Sequence, residues 1–415
     1  MLASIALRNL ARNRRRTLLS LLIVGMGAAS MLLVIGFVRQ SFVGLGEAII
    51  EGGVGHFEIA PVLGDDDDDG EGAIAGGGAP PSLVDWQEIR SAVENRPHVR
   101  AAGATIQFAG VVTNGDRSAA FLGVAVETER EPLMGMKVRV RRGSNLAATP
   151  PAEGDDRALL GVGLARALAA EPGDVVTLLV ATADGSLNAL DVTVDGVFTT
   201  GFEEMDNRIL KTHLMTAQRA LSTDAVTSLV VRLDDTAFTA AAVSDLEDVR
   251  HQSSQPLDVR DWKARAPFYG QVRALYTGIF VFLGIVVAAL VALSSANTLL
   301  MSVLERIREL GTLLAIGTSR SQLARLLLFE ALWLAALGVV AGSAVGIALV
   351  VIINQLGIEM PPPPAAVDPI ELSLMVIPTD LAWIAAFMTL ILVLAAVAPM
   401  WKVFRVRIVE ALGHV

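Results

Sequence analysis

The chain has 415 residues, 53% of them hydrophobic and 18% charged, with a formal net charge of −10 and no cysteine. So apolar a composition excludes an ordinary single soluble domain and points to membrane segments joined to a soluble part. The absence of thiols excludes disulfides, zinc–thiolate sites and cysteine-linked lipid.

The first predicted element is a basic lead followed by an apolar helix over residues 17–38. Arg8, Arg12, Arg14, Arg15 and Arg16 precede it, Arg39 marks its outer end, and residues 1–42 hold no acid. The pattern superficially fits a signal peptide, but the apolar run of about 22 residues exceeds the usual 7–15. It is read as an uncleaved anchor. Three further stretches, residues 275–300, 327–353 and 381–401, also reach the length of about 20 apolar residues that a bilayer requires. With four spans, the lead, the 302–322 loop (Arg306, Arg308, Arg320, Arg325) and the tail (Lys402, Arg405, Arg407) share one side. Lys and Arg excess makes that side cytoplasmic.

Residues 43–268 differ in character, with 35 acids against 19 bases. Their length suffices for a core of their own. Residues 55–61 predict a strand. Asp65–Asp69 open a Gly-rich tract to Gly78, read as a solvated loop; a divalent-cation site lacks the spaced ligands such a site needs. A helix is predicted over 83–95. Residues 106–126 read as a hairpin about Asn114-Gly115 in a type I′ turn. A helix follows that ends at Pro172-Gly173. Strands at 175–181 and 190–198 flank a turn at Asp184-Gly185. A strand at 228–233, a helix at 236–250 and a lead at 258–265 complete a mixed α+β domain. Lys137, Arg139, Arg141 and Arg142 are read as a solvated strand edge, since the acidic domain disfavours nucleic acid.

The segment after the second span carries the most specific pattern. Val303, Ile307, Leu310 and Leu314 recur at spacings of four, three and four, which is one helical face. Glu305, Arg306, Arg308, Glu309 and Thr312 fall largely on the rest of the surface. Gly317 stands where a helix end takes a left-handed residue. Ser319 with Gln322 reads as the capping box of the next helix. A short charged helix tethered between two spans lies along the bilayer surface, within reach of a soluble partner. In the third span, Gly338, Gly342 and Gly346 sit four apart. They allow either a seam between helices, within or between subunits, or ordinary close packing. Glu330 is read as an anchoring acid or a partner of Arg325 rather than a proton carrier.

The residues ERIRELGTLLAIGTSRSQL resemble the cytoplasmic segment of the FtsX/MacB/LolC-LolE superfamily of ABC-transporter permeases. LRNLARNRRRTLLSLLIVGMG and APMWKVFRVRIVEALG resemble that superfamily's two ends, in the same order. GVGHFEIAP, LLGVGLARALAAEPGDVVTLLV, VDGVFTTGFEEMD and GIEMPPPP resemble the LolC/LolE lipoprotein-releasing branch. The resemblance implies four transmembrane helices with a large α+β extracytoplasmic domain, a MacB-like periplasmic core, inserted between helices 1 and 2. The implied division is 1–42 for the basic N-terminus and first helix, 43–268 for the periplasmic domain and 269–301 for the second helix. It continues with 302–322 for the coupling helix, 323–355 for the third helix, 356–378 for a short outer loop and 379–415 for the fourth helix and tail.

The resemblance also implies partners. These are a separate ABC ATPase dimer that binds ATP and Mg, a second permease that is identical or homologous, membrane lipids and a periplasmic lipoprotein carrier. Glu305, Arg306, Arg308, Glu309, Gly311 and Gly317 would couple to the ATPase. Met26, Met31, Leu33, Phe37, Phe280 and Phe282 would line the surface for lipoprotein acyl chains. The setting would be the bacterial inner membrane. Alternatives are a MacB-like mechanotransmission exporter and an FtsX-like regulator of cell-wall hydrolases.

No Gly-x4-Gly-Lys-Ser/Thr loop occurs, and none of the four lysines follows a glycine, so the chain is expected to bind no nucleotide itself. Only about 16 residues precede the first span, where a MacB-type chain would carry a fused ATPase. The five histidines lack metal-ligand spacing and no Gly-x-Ser-x-Gly elbow is present, so no catalytic residue, metal or cofactor is expected.

Overall fold

The structure is a computed structural model that describes residues 2–12, 14–62, 82–134, 138–152, 154–360 and 370–404. It divides into two units. One is helical (Met1–Val43, Gln271–Met360 and Glu371–Val415) and the other sheet-rich (Gly44–Gly270 with Pro361–Ile370).

Among the described residues, four helices are long and apolar enough to cross a membrane. The first long helix is Arg14–Ile49, the second Pro267–Glu305, the third Arg320–Leu356 and the fourth Pro378–Phe404. A basic helix, Leu2–Arg12, precedes the first. The corner between them is tied by Thr17, whose hydroxyl donates to the Leu10 carbonyl at 2.7 Å. A short helix, Ile307–Ala315, joins the second long helix to the third. All four long helices contribute to one apolar core, with Val24 and Leu32, Val291, Leu334, and Met388 buried at its centre. The second helix contributes least: 11% of its most apolar window is buried, against 39% for the first. Most of its apolar surface is therefore exposed.

The sheet unit has ten strands: β1 Phe57–Pro61, β2 Val99–Thr113, β3 Ser118–Val126, β4 Arg139–Gly143, β5 Arg157–Gly161, β6 Val175–Ala181, β7 Leu187–Thr199, β8 Ile209–His213, β9 Ser228–Leu233 and β10 Leu257–Asp261. Their order is β10-β1-β9-β2-β3-β8-β5-β7-β4, and β6 pairs with both β2 and β7. The pairings β2-β3-β8-β5-β7-β6 thus return to β2 and close a six-stranded ring. Pairing follows pattern. β6 alternates exposed and buried residues, as a strand buried on one face must. β9, SLVVRL, is buried at all but one position and lies inside the sheet between β1 and β2. β2 is long enough to serve both regions, pairing β9 over residues 99–105 and β3 over 105–113.

Several local expectations are corrected. The hairpin at Asn114-Gly115 exists, but Thr113 pairs with Ser118, leaving a four-residue loop rather than a two-residue type I′ turn. Only Gly115 there has positive φ. The Asn114 side chain shapes the loop instead, accepting from the N–H groups of Asp116 and Arg117 and donating to the Leu168 carbonyl. The helix expected to run to Pro172-Gly173 is Val162–Leu168, stopped by Ala169 in the left-handed region at φ 51°. The helix expected over 236–250 is three short pieces, Thr236–Phe238, Thr239–Ser244 and Glu247–Gln252. β5, β8 and β10 had no predicted strand counterpart, whereas β4 is the exposed edge strand that carries Arg139, Arg141 and Arg142. Asp65–Asp69 lie outside the described residues.

Candidate functional site at the short charged helix

A single residue, Arg306, separates the second long helix from the short one, with dihedrals (φ −106°, ψ 17°) outside the helical range. At the other end, Gly317 has φ 104°. Its N–H donates to the Leu314 carbonyl at 3.2 Å and that of Thr318 to the Leu313 carbonyl at 3.0 Å. This paired closure needs a left-handed residue, which glycine adopts without cost to a Cβ. Ser319 then starts the third long helix with a complete capping box. The Ser319 N–H donates to Gln322 Oε1 at 2.9 Å, and the Gln322 N–H to Ser319 Oγ at 3.3 Å. The short helix is thus a separate piece, bounded by the dihedral break at Arg306 and the closure at Gly317.

Its apolar face packs inward. Leu310 is buried with Val303, Leu323, Leu327 and Val403, and Leu314 lies against them. Ile307, the remaining residue of the predicted face, is only half-buried and stays outside this cluster. Arg308, Glu309, Thr312 and Leu313 face solvent, as does Ile316, which is 78% exposed. Leu313 and Ile316 form an apolar surface next to Gly317 that the charge pattern did not reveal. Gly311 is buried beside Leu310 and therefore belongs to the inner face. Glu305 is the exposed last residue of the second long helix.

The polar side chains form a relay. Arg306 Nε donates to Glu309 Oε2 at 2.9 Å, and its Nη1 lies 3.4 Å from Glu330 Oε1. The same Glu330 oxygen accepts from Asn9 Nδ2 at 2.8 Å. Arg12 Nη2 reaches the other Glu309 oxygen at 3.4 Å. The hydrogen bond from Arg306 is the main cause that holds the Glu309 carboxyl below its ordinary pKa. Asn9 and Arg12 lie three apart, on one face of the basic helix. That helix therefore grips both the third long helix and the short helix. Glu330 does not pair with Arg325, whose Nε instead donates to the Ser321 carbonyl. Arg325 lies one helical turn from Glu330 towards the solvent end, whereas Arg306 and Asn9 enter from other elements. Nothing in local spacing signals that meeting.

At the opposite ends of the long helices, Arg39 is bonded to Asp380, which sits in the first turn of the fourth. Nη2 lies 2.6 Å from Oδ1 and Nε 3.2 Å from Oδ2. Sequence reading found Arg39 but not its partner. The signal was an acid two residues after Pro378, at a helix start that favours negative charge.

The glycine row is filled by the first long helix of the same chain. A Cβ on Gly338 would fall 2.6 Å from Val24 Cγ1, one on Gly342 2.7 Å from Gly25 Cα, and one on Gly346 2.9 Å from Leu32 Cδ2. Of the six residues expected to meet acyl chains, Phe37 and Phe280 come together edge to face, with centroids 6.3 Å apart. Met31 and Leu33 are half-buried, whereas Met26 and Phe282 are 68% and 65% exposed.

Two family models match this chain. The MacB-like periplasmic core domain matches residues 17–249, more than half of the chain, and the FtsX-like permease C-terminal region matches residues 281–408. The chain belongs to the FtsX/MacB/LolC-LolE superfamily of ABC-transporter permeases. Within that superfamily it is similar to the lipoprotein-releasing system transmembrane protein LolC of Neisseria meningitidis serogroup B, with 26% identity over 278 residues, 64% of this chain and 65% of the relative. It is also similar to the corresponding LolE of Haemophilus influenzae, with 21% identity covering 76% of each. The match thus spans just under two thirds of the length of the LolC relative. Among solved structures, the periplasmic region of MacB from Actinobacillus actinomycetemcomitans aligns with 52% of this chain and 92% of its own, at 13% identity and a TM-score of 0.37. The extracellular domain of the noncanonic ABC-type transporter YknZ from Gram-positive bacteria aligns with 49% of this chain and 99% of its own, at 13% identity and a TM-score of 0.35.

Proposed function

We propose that this LolC/LolE-like permease is the membrane subunit of an ATP-driven machine that extracts lipoproteins from the bacterial inner membrane and passes them to a soluble carrier. The observation that carries the reading is the Arg306 junction. The short charged helix is bounded by the break at Arg306 and the closure at Gly317, and one guanidinium ties it to the third long helix. A push on its exposed face (Arg308, Glu309, Thr312, Leu313, Ile316) passes to the second and third long helices together. A separate ATPase dimer, holding ATP and Mg, supplies the push, and a second permease completes the dimer. The exposed apolar surface of the second long helix, where Phe280 meets Phe37 of the first, is the proposed wall for acyl chains. The names of the LolC and LolE relatives support the cargo. The MacB-like core over residues 17–249 supports a second reading, in which the same motion drives export of periplasmic substrates.

In the proposed orientation, both termini and the short helix are cytoplasmic. With single cysteines at Ser144 and Ser319, an impermeant thiol reagent on spheroplasts should label Ser144 alone; labelling of Ser319 alone reverses the topology. The coupling is tested by Glu305→Lys with Glu309→Lys in the chain co-expressed with its ATPase. Loss of complex, or hydrolysis without lipoprotein release, is expected. Normal assembly together with normal release would remove this face from the mechanism.

A further inference from the structure

The basic helix carries more positive charge than its internal contacts use. Arg8, Arg12, Arg14 and Arg15 are all exposed, and the first acid in the chain is Glu47. On the basic helix, Ala6 is fully buried and Leu10 packs on the helical core, while Arg8 and Arg12 are exposed; Arg14 and Arg15 are exposed at the start of the first long helix. At Arg14 the basic helix turns directly into the first long helix, whose membrane-length apolar part begins at Thr17. With that helix in a bilayer, these guanidinium groups would stand near the lipid headgroups. Arginines clustered beside a membrane-length apolar helix attract anionic lipid headgroups by charge.

One of these arginines has two competing uses. Arg12 bonds Glu309 of the short helix at 3.4 Å, with the two side chains 76% and 46% exposed. So exposed a pair is weak, and an arginine at an anionic membrane surface gains a comparable amount. Asn9, by contrast, holds the buried Glu330 and has no reason to let go. We propose that Arg8 and Arg12 of the basic helix, with Arg14 and Arg15 at the start of the first long helix, form a docking surface for anionic phospholipid headgroups, and that Arg12 exchanges between those headgroups and Glu309. Anionic lipid then loosens the grip on the short helix while Asn9 keeps the basic helix on the third long helix. The proposal rests on this corner meeting a membrane surface, and it is independent of the cargo.

The chain has no cysteine, so two can be placed without background. Leu7→Cys and Leu313→Cys, both at exposed positions, carry nitroxides in the full chain, reconstituted in nanodiscs. Pulsed electron resonance then reads the distance between the basic and short helices. In phosphatidylcholine a single short distance is expected, and adding phosphatidylglycerol should convert part of it to a longer, broader population. Glu309→Gln should show the broad population in both lipids. Arg8→Gln with Arg14→Gln and Arg15→Gln should retain the short distance and lose the lipid response. Because both leaflets carry the lipid, a reversed orientation does not change the outcome, and failure of lipoprotein release would leave it standing. A distance unaffected by phosphatidylglycerol overturns the proposal. So does an equal response to free inorganic phosphate in phosphatidylcholine discs, which would assign the surface to a soluble anion. Should the variants fail to assemble, spin-labelled lipid on the unsubstituted chain decides. A larger immobilised fraction for phosphatidylglycerol than for phosphatidylcholine supports the docking surface, and equal fractions overturn it.

Discussion

The Arg306 guanidinium lies 3.4 Å from the Glu330 carboxylate, which is almost wholly buried near the start of the third long helix. This contact ties the one-residue break after the second long helix to the helix that follows the short one. Arg306→Ala leaves Glu330 to Asn9 alone. Removing one partner of a buried ion pair costs about 3–5 kcal/mol, of which the Asn9 bond offsets part. Hydrogen exchange should therefore accelerate across 307–315 before the rest of the helical unit. Glu330→Gln keeps an acceptor for Asn9 and should loosen the short helix without that global penalty. Equal exchange in Arg306→Ala and the parent chain would show that the contact carries no constraint.

The glycine row makes a second, sharper demand. A methyl at Gly342 meets the backbone of Gly25, which cannot rotate aside. Gly342→Ala should destabilise the helical unit by about 1–3 kcal/mol, as overpacking does. Gly278 in the second long helix has nothing within 4 Å, so Gly278→Ala should be neutral or slightly stabilising through helix propensity. Thermal unfolding in detergent compares the two. A neutral Gly342→Ala would mean that the first and third long helices do not approach this closely.

The Arg39–Asp380 pair joins the first and fourth long helices. The Asp380 side chain is 5% exposed and that of Arg39 37%. Arg39→Ala should lower stability by about 1–3 kcal/mol, because the buried carboxylate keeps only the Ile377 N–H at 3.4 Å. Asp380→Asn should cost less. The exchange Arg39→Asp with Asp380→Arg should recover part of the loss. If the exchange is as damaging as Arg39→Ala, the bond is not what the position requires.

Two buried histidines give the sheet unit a pH dependence. His56 accepts from the Leu233 N–H at 3.1 Å and, through its other nitrogen, meets Thr236. Burial first, and then the charge of Arg232, lower its pKa from 6.5 to about 4. Burial also lowers that of His213. Between these limits the unfolded chain binds the proton that the folded chain refuses, so stability falls as pH falls. The contribution is complete above 6.5 and is lost progressively towards about 4. Melting temperature should drop across that window, and His56→Gln should flatten the slope in part, with His213 supplying the remainder. An unchanged slope in His56→Gln would remove His56 from the account.

Local signals in the sequence were reliable where structure is local. The capping box at Ser319 and Gln322 and the left-handed Gly317 formed as read, because each depends on residues within one turn. The apolar lengths alone located the four long helices. What escaped were meetings across hundreds of residues, Asn9 with Glu330 and Arg39 with Asp380, for which spacing carries no information. The same reason hid the closure of the strand ring through β6. The type I′ reading failed because the Asn114 side chain supplied its own hydrogen bonds to the loop. The break at Arg306 fell inside a periodicity that looked continuous from Val303 to Leu314.

The central claim is that the first and second long helices form a lateral wall from which acylated protein is expelled when ATP is used. A photo-crosslinking residue placed in turn along 26–37 and 279–285, in cells carrying the cognate ATPase, tests it most directly. The account predicts that lipoprotein is captured at a contiguous set of these positions, including those around Phe37 and Phe280, and that ATP turnover abolishes capture. Capture of phospholipid alone at every position, with lipoprotein sorting intact after depletion of the chain, would contradict it.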